Sequence, residues 1–245
     1  MVSAKELQSR IKDFFNFSWQ EISGLIAAVL LTGFIFSFRD WGDTSFDFIV
    51  GLYHLFAVFV IAGLSFAFRI SCQKIFALSQ GYKAEFKVWW VGLVIMIVVG
   101  FLSVGFLPLI LVGGVVTSFM VKQRLGEFRY GFSYIDNAVI SFWGVIGNMI
   151  AAIIFAVGLF AFPQSYFFSK GLILNLMMGF CALLPLPQLD GLKIFFGSRV
   201  LYFLAIGTVL LASVLLLTRS KLGLIMAIVI GSIAGIVYVL KGSEK

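Results

Sequence analysis

Few residues in this chain have the chemistry for a reactive site. A lone carboxylate, Asp190, follows an apolar run in NLMMGFCALLPLPQLDGLKIFF, Asn175 to Phe196, of a kind that normally excludes charge. Pro185 and Pro187 before it and Gly191 after it oblige the backbone to leave the helix where the charge appears. A carboxylate so placed can ligate a metal or hold a counter-charge, and it needs one or the other. The remaining metal-ligand candidates are two cysteines, Cys72 and Cys181, and a single histidine, His54. The cysteines are soft ligands but lack a CxxC partner, so small buried side chains are the simpler reading. His54 precedes Cys72 by 18 residues, or about 27 Å of helix, which puts it near the opposite membrane face as a hydrogen-bonding residue.

The elements that must position these residues are membrane helices. The chain is 61% hydrophobic and 12% charged over 245 residues, whereas soluble domains carry roughly 25% charged residues. Apolar windows long enough for the roughly 30 Å hydrocarbon layer fall at about 22–38, 46–68, 138–162, 167–184, 200–218 and 222–240. These predict an all-α polytopic protein with about six transmembrane helices. The stretch Val88 to Phe119 is different, because Gly92, Gly100, Gly105, Pro108, Gly113 and Gly114 interrupt it. It is expected to form a short helix and a re-entrant or interfacial hairpin that returns to its starting side. Irregular backbone at membrane depth survives only beside protein or a cavity.

Residues 1–21 carry six charges and apolar residues at helical intervals (Leu7, Ile11, Phe14, Phe15, Trp19), with Ser3 and Glu6 at capping-box spacing. An amphipathic interfacial segment is one expectation there, and a tail ordered only by the following span is the other. The single transmembrane domain then occupies 22–240, and 241–245 is a tail. With a cytosolic N-terminus, Lys5, Arg10, Lys12, Arg69, Lys74, Lys83, Lys87, Lys122, Arg124, Arg129, Lys193, Arg199, Lys241 and Lys245 lie inside. Arg39, Lys170, Arg219 and Lys221 lie outside, a 14 to 4 division that supports cytosolic termini. The basic residues are dispersed through short loops, so they serve as topology signals and do not point to nucleic acid.

Three segments together carry a family resemblance. ALLPLPQLDG, Ala182 to Gly191, resembles the NLLPxPxLDG segment of the site-2 proteases, intramembrane zinc metalloproteases whose aspartate is the third zinc ligand. GVIGN, Gly144 to Asn148, resembles the family's GPxxN, with Val145 in place of proline. KIFALSQGYKAEF, Lys74 to Phe86, resembles the archaeal and bacterial pattern of a helix end turning into an Ala-Glu-Phe strand. The resemblance covers about residues 50–200 in order, with a core at about 46–199, and implies a prokaryotic cell membrane.

The family's HExxH is missing. Its place falls on Arg69, Ile70, Ser71, Cys72 and Gln73, and one histidine in the whole chain cannot restore it. The resemblance therefore implies a degenerate former site of Arg69, Ile70, Gln73 and Asp190, with no zinc and no other cofactor, and a pseudoprotease. Such a protein would bind transmembrane segments or membrane partners without cutting them, with Gly105 to Val116 as the surface. Arg69 would put its cation where the metal's charge would be, with Gln73 as a second donor to Asp190, unless Arg69 instead snorkels to the cytosol. An active protease with a divergent or partner-supplied metal site, and a small channel or transporter, remain open alternatives.

Gly231 and Gly235 form a GxxxG pair in the last apolar window, a candidate close helix contact. If that contact forms, Gly231→Leu lowers the melting temperature in detergent; an unchanged value removes it.

Overall fold

The computed structural model describes residues 4–42, 46–120 and 133–231. The chain starts with α1 (Ala4–Phe14) and α2 (Trp19–Ser37), followed by the long α3 (Phe48–Ser79). Strand β1 (Tyr82–Val88), helix α4 (Trp90–Leu102) and strand β2 (Gly113–Phe119) come next. Helices α5 (Tyr134–Ala161), α6 (Tyr166–Ala182), α7 (Asp190–Gly197) and α8 (Arg199–Leu217) complete the core, and α9 is described over Lys221–Gly231. Helices α2, α3, α5 and α8 are each long and apolar enough to cross a membrane. Helix α6 is shorter, at 17 residues, and the second part of the expected 222–240 window, from 232 on and Gly235 included, lies outside the described residues. Among the described residues, nothing lies within 4 Å of where a Cβ at Gly231 would sit.

Helix α3 organises the rest. Its 32 residues span about 48 Å, well beyond the roughly 30 Å hydrocarbon layer, so one end must project past it. The start is capped by Asp47, whose carboxylate accepts from the backbone N–H groups of Ile49 and Val50. Val58, Ile61, Ala62, Phe66 and Ile70 form its buried stripe in the main core, together with Ala152, Phe155 and Ala156 of α5 and Leu172, Leu174 and Met178 of α6. The expected window ended at 68, but the helix runs eleven residues further, to Ser79. Its last three turns carry Arg69, Gln73 and Lys74, all buried; a hydropathy window stops at such residues, whereas the helix continues because each finds a partner.

The N-terminal segment departs from expectation at its boundary. Trp19 belongs to the first turn of α2 and not to the surface helix, because a capping box sits at Ser18 and Glu21. Ser18 Oγ accepts from Glu21 N, and Glu21 Oε2 accepts from Ser18 N. Ser3 lies outside the described residues. Helix α1 is attached to the end of α3, where Arg10 Nη1 donates to the Leu78 carbonyl at 2.9 Å.

The interrupted stretch after Val88 leaves and returns, as its glycines suggest, but its second half forms no hairpin of its own. It comes back as β2, which pairs antiparallel with β1 from Val88↔Gly113 to Tyr82↔Phe119. The strand begins at Gly113, so most of the expected surface Gly105 to Val116 is irregular chain, with Ile110, Leu111 and Val112 buried. Ile110 N–H donates to Cys181 Sγ at 3.4 Å, one way irregular backbone inside the fold is satisfied.

A second buried ion pair fixes this sheet to the helices. Lys74 Nζ lies 2.8 Å from Glu21 Oε1 and donates to the Asn16 carbonyl at 2.6 Å. Glu21 Oε1 also accepts from Phe86 N–H of β1 at 2.7 Å. One carboxylate thus joins α2, α3 and the sheet. Removing one member strands the other in the interior, so Glu21→Ala is expected to cost about 3 kcal/mol, and Glu21→Leu with Lys74→Met much less than the sum of the single changes. Thermal unfolding in detergent of the wild type, Glu21→Leu, Lys74→Met and the double variant measures the coupling.

Candidate functional site

Arg69 and Gln73 stand four residues apart on α3 and so project from one face. That face meets α5, α6 and the start of α7. Asp190 is the first residue of α7 and fully buried, so the proline-rich segment before it delivers the carboxylate to a helix N-terminus, where negative charge is favoured. Arg69 Nη2 donates to Asp190 Oδ2 at 2.7 Å, and Gln73 Nε2 donates to the same oxygen at 2.8 Å. The expected contact of Asp190 with both residues is present. Snorkelling of Arg69 is excluded, because its side chain is 7% exposed.

The surroundings complete the arginine's bonding. Asn148 of the GVIGN segment, with its amide oxygen turned toward Arg69, accepts from Arg69 Nη1 at 3.1 Å and from Gly179 N at 3.3 Å. Arg69 Nη1 also points at the Met178 carbonyl, 3.5 Å away. Gly144 is required by close approach, since a Cβ there would lie 2.5 Å from Gln73 Nε2. Gly114 of β2 plays the same part on the other side, where a Cβ would come within 2.6 Å of Asp190 Oδ1 and 2.8 Å of the Gln188 carbonyl. Pro185 and Pro187 are exposed in the loop before α7, and Gly191 packs against the Leu183 carbonyl. Ile70 is buried in the main core and faces away from this polar cluster.

Lys193 is the member that sequence reasoning passed over, counted only as a topology charge. Its Nζ lies 3.3 Å from Asp190 Oδ1 and donates to the Val115 carbonyl of β2 at 2.5 Å. The three-residue spacing from Asp190 within a short helix was the available signal. Two cations therefore face one carboxylate. Burial pushes the Asp190 carboxyl pKa up, but Lys193 and Arg69, with hydrogen bonds from Arg69 and Gln73, outweigh it and hold the group below its ordinary value.

These atoms do not fit a zinc ion. Zinc sites use three or four Cys, His or carboxylate donors, and a guanidinium has no lone pair to offer. Gln73 turns its Nε2 to Asp190, leaving Oε1 buried without a partner among the described residues, as is Ser141 Oγ. Among the described residues no three His, Cys, Asp or Glu side chains converge on a common point. Cys72 lies against Gly147 and Cys181 receives Ile110 N–H. His54 belongs to the other end of α3, stacked on Tyr166 at 3.9 Å with Nδ1 2.7 Å from the Asp40 carbonyl. No family model, curated protein or solved structure matches the chain.

The pair has two measurable consequences. Asp190→Ala strands Arg69 and is expected to cost about 3 kcal/mol, whereas Asp190→Leu with Arg69→Leu approaches neutral; additive single and double changes in a thermal cycle would refute the coupling. The folded-state pKa of Asp190 lies below its ordinary value of 3.8, so its stabilisation is present above that value and is lost as pH falls through the lower folded pKa. Asp190→Asn therefore weakens the acid dependence of stability in that window, read from melting temperature against pH.

Proposed function

We propose that the chain is a multi-pass membrane protein with a site-2-protease-like core that holds transmembrane segments, or another membrane partner, without cutting them. Six spans with both termini in the cytosol agree with the hydropathy windows and the basic-residue division, and a prokaryotic cell follows from the resemblance alone. The observation that carries the reading is the Arg69 guanidinium 2.7 Å from Asp190. The resemblance to the family implies that a metal's charge belongs at that place. A protein cation there neutralises the carboxylate and removes both the Lewis acid and the bound water that hydrolysis requires. Ile70 stands at the position of the general base, and an aliphatic side chain accepts no proton.

What remains is a binding geometry. Strand β2 lies beside the Asp190 cluster, and the irregular chain from 103 to 112 leads into it. An unwound end of a transmembrane helix presents unpaired backbone groups, which a sheet edge can satisfy. The occupant is then a segment with weak helix propensity close to one membrane face.

Purified protein is expected to contain far less than one zinc ion per chain by elemental analysis and to leave a membrane-embedded peptide intact. Stoichiometric, chelator-sensitive zinc together with proteolysis would overturn the proposal. Arg69→His, Ile70→Glu and Gln73→His in one chain supply the missing ligands and base, and metal uptake is expected to rise. Activity need not follow, because the groups that orient ligands are not restored with them. Photocrosslinking of single-span peptides in liposomes tests the holding function directly.

A further inference from the structure

The chain between β1 and β2 runs out along α2 and back. At its start Val88 lies against Gly24, where a Cβ would come within 2.5 Å of Val88 Cγ2; further on Gly100 meets Ile35, and Gly105 meets Phe38 and Arg39 just past the end of α2. Gly24 to Phe38 spans about 21 Å of helix. Helix α4 covers that depth on the way out. The return falls to residues 106–112, which as a helix would cover only about 10 Å, so the chain comes back extended and cannot satisfy its own backbone. Trp89 N–H donates to the Val112 carbonyl at 2.8 Å, Leu109 N–H to the Leu107 carbonyl at 2.9 Å and Ile110 N–H to Cys181 Sγ at 3.4 Å. Among the described residues, Leu111 N–H and the carbonyls of Leu109, Ile110 and Leu111 have no hydrogen-bond partner, although Ile110 and Leu111 are buried. Unpaired backbone at membrane depth is costly, so the position of this return segment is weakly held.

Its attachments are few. On α4 the buried positions are Gly92, Leu93, Met96 and Gly100, and the two glycines place no side chain into the fold. Trp90, Val91, Val94, Phe101 and Leu102 are exposed. At the tip Arg39 stacks its guanidinium on the Phe106 ring at 3.7 Å, and Phe38 and Phe101 meet edge to face at 5.3 Å. The tip turn holds Val104 at a φ of 50° and Gly105 at 73°, and the first is strained for a β-branched residue. At the root the pairing of β2 with β1 begins at Gly113, whose φ of 133° suits glycine. The segment is thus pinned at one end, clasped by ring contacts at the other and underbonded between them. Beneath it lie Cys181, fully buried, and Leu189, which packs with Trp89 and Leu111 immediately before Asp190.

We propose that residues 90–112 are a hinged flap: rooted in the sheet at Gly113 and closed at the tip by Arg39 on Phe106, they swing away from α6 and admit water to Cys181 and to the unpaired carbonyls. Opening exchanges the packing of Leu111 for hydration of the backbone groups around it and frees Val104 from its strained φ. It also uncovers Leu189, so the flap is a lateral entrance to the Asp190 cluster. The bonds of Arg69 and Gln73 run to α5, α6 and α7, so the carboxylate stays neutralised while the flap is open. The flap goes beyond the holding function proposed above and does not depend on what the chain holds.

Full-length protein carrying Ser65→Cys is reconstituted in liposomes and treated with 2-hydroxyethyl methanethiosulfonate, and the modified cysteines are located by mass spectrometry. The reagent reacts with the thiolate, so it reports where water reaches sulfur. Ser65 is buried in the middle of α3, and the Ser65→Cys position reports global unfolding in the same molecules. Cys181 is expected to react about tenfold faster than that position, as a locally opened site does. Phe106→Ala raises the rate at Cys181 about fivefold, the equivalent of one cation–π contact, and leaves position 65 unchanged. Phe106→Tyr keeps the original rate, and Val104→Asn, which accepts a positive φ, lowers it. The comparison of the two positions needs no flap variant and stands even if Phe106→Ala fails to fold. Equal rates at the two positions, no reaction at Cys181, or a rate at Cys181 that Phe106→Ala leaves unchanged or raises only together with position 65, each refutes the flap. None of these outcomes touches the holding function, which the crosslinking of single-span peptides tests separately.

Discussion

The structure depends on how a buried charge is neutralised. An unpaired carboxylate or guanidinium within a protein at membrane level is costly, and ion pairs survive there only when further hydrogen bonds complete the bonding of each partner. Arg69 and Asp190 meet that condition through Gln73, Asn148 and Lys193. Because the two charges come from α3 and the start of α7, with the neutral groups on α3 and α5, the pair fixes the relative placement of three elements. Apolar packing alone tolerates small slides between helices; a bidirectional set of hydrogen bonds does not.

The same stretch of α3 carries the second pair. Arg69, Gln73 and Lys74 lie within two turns and together reach three neighbours: Arg69 and Gln73 both reach Asp190 of α7, Gln73 also the Ser141 carbonyl of α5, and Lys74 reaches Glu21 of α2. Glu21 in turn holds β1 through Phe86 N–H. At the other end of α3, Asp40 accepts from Tyr166 Oη and lies 2.6 Å from Lys170 Nζ, while His54 stacks on the Tyr166 ring. Helix α3 is thus anchored at both ends by polar contacts, with aliphatic packing between them.

Hydropathy made the helices legible to within a few residues, since membrane windows have no competing period. It failed at the end of α3 because partnered polar residues look like an end in a one-dimensional profile. The β1 to β2 pairing was half legible. The turn at Gln80 and Gly81 and the following strand were expected from KIFALSQGYKAEF, but the register depends on a return path through residues 103–112 that no local propensity specifies. The contact of Asp190 with Arg69 and Gln73 was legible only through the resemblance that brought 69, 73 and 190 together. The Glu21 to Lys74 pair was not, although the capping-box spacing of Ser18 and Glu21 was there to be read. Two charges 53 residues apart leave no periodic trace.

What a carboxylate such as Asp190 does cannot be told from the carboxylate alone. Facing two imidazoles it is a ligand, and facing a guanidinium it is half of an ion pair; in either setting its own burial and its helix N-terminus can be the same. The coupling also makes either arrangement hard to leave by single steps, because removing one member exposes the other to the full desolvation penalty. A structural pair can therefore persist at such a place without any catalytic role. The second oxygen of Asp190 reaches one bond further out. Oδ2 serves the interior through Arg69 and Gln73, whereas Oδ1 holds Lys193, which also satisfies the buried Val115 carbonyl of β2.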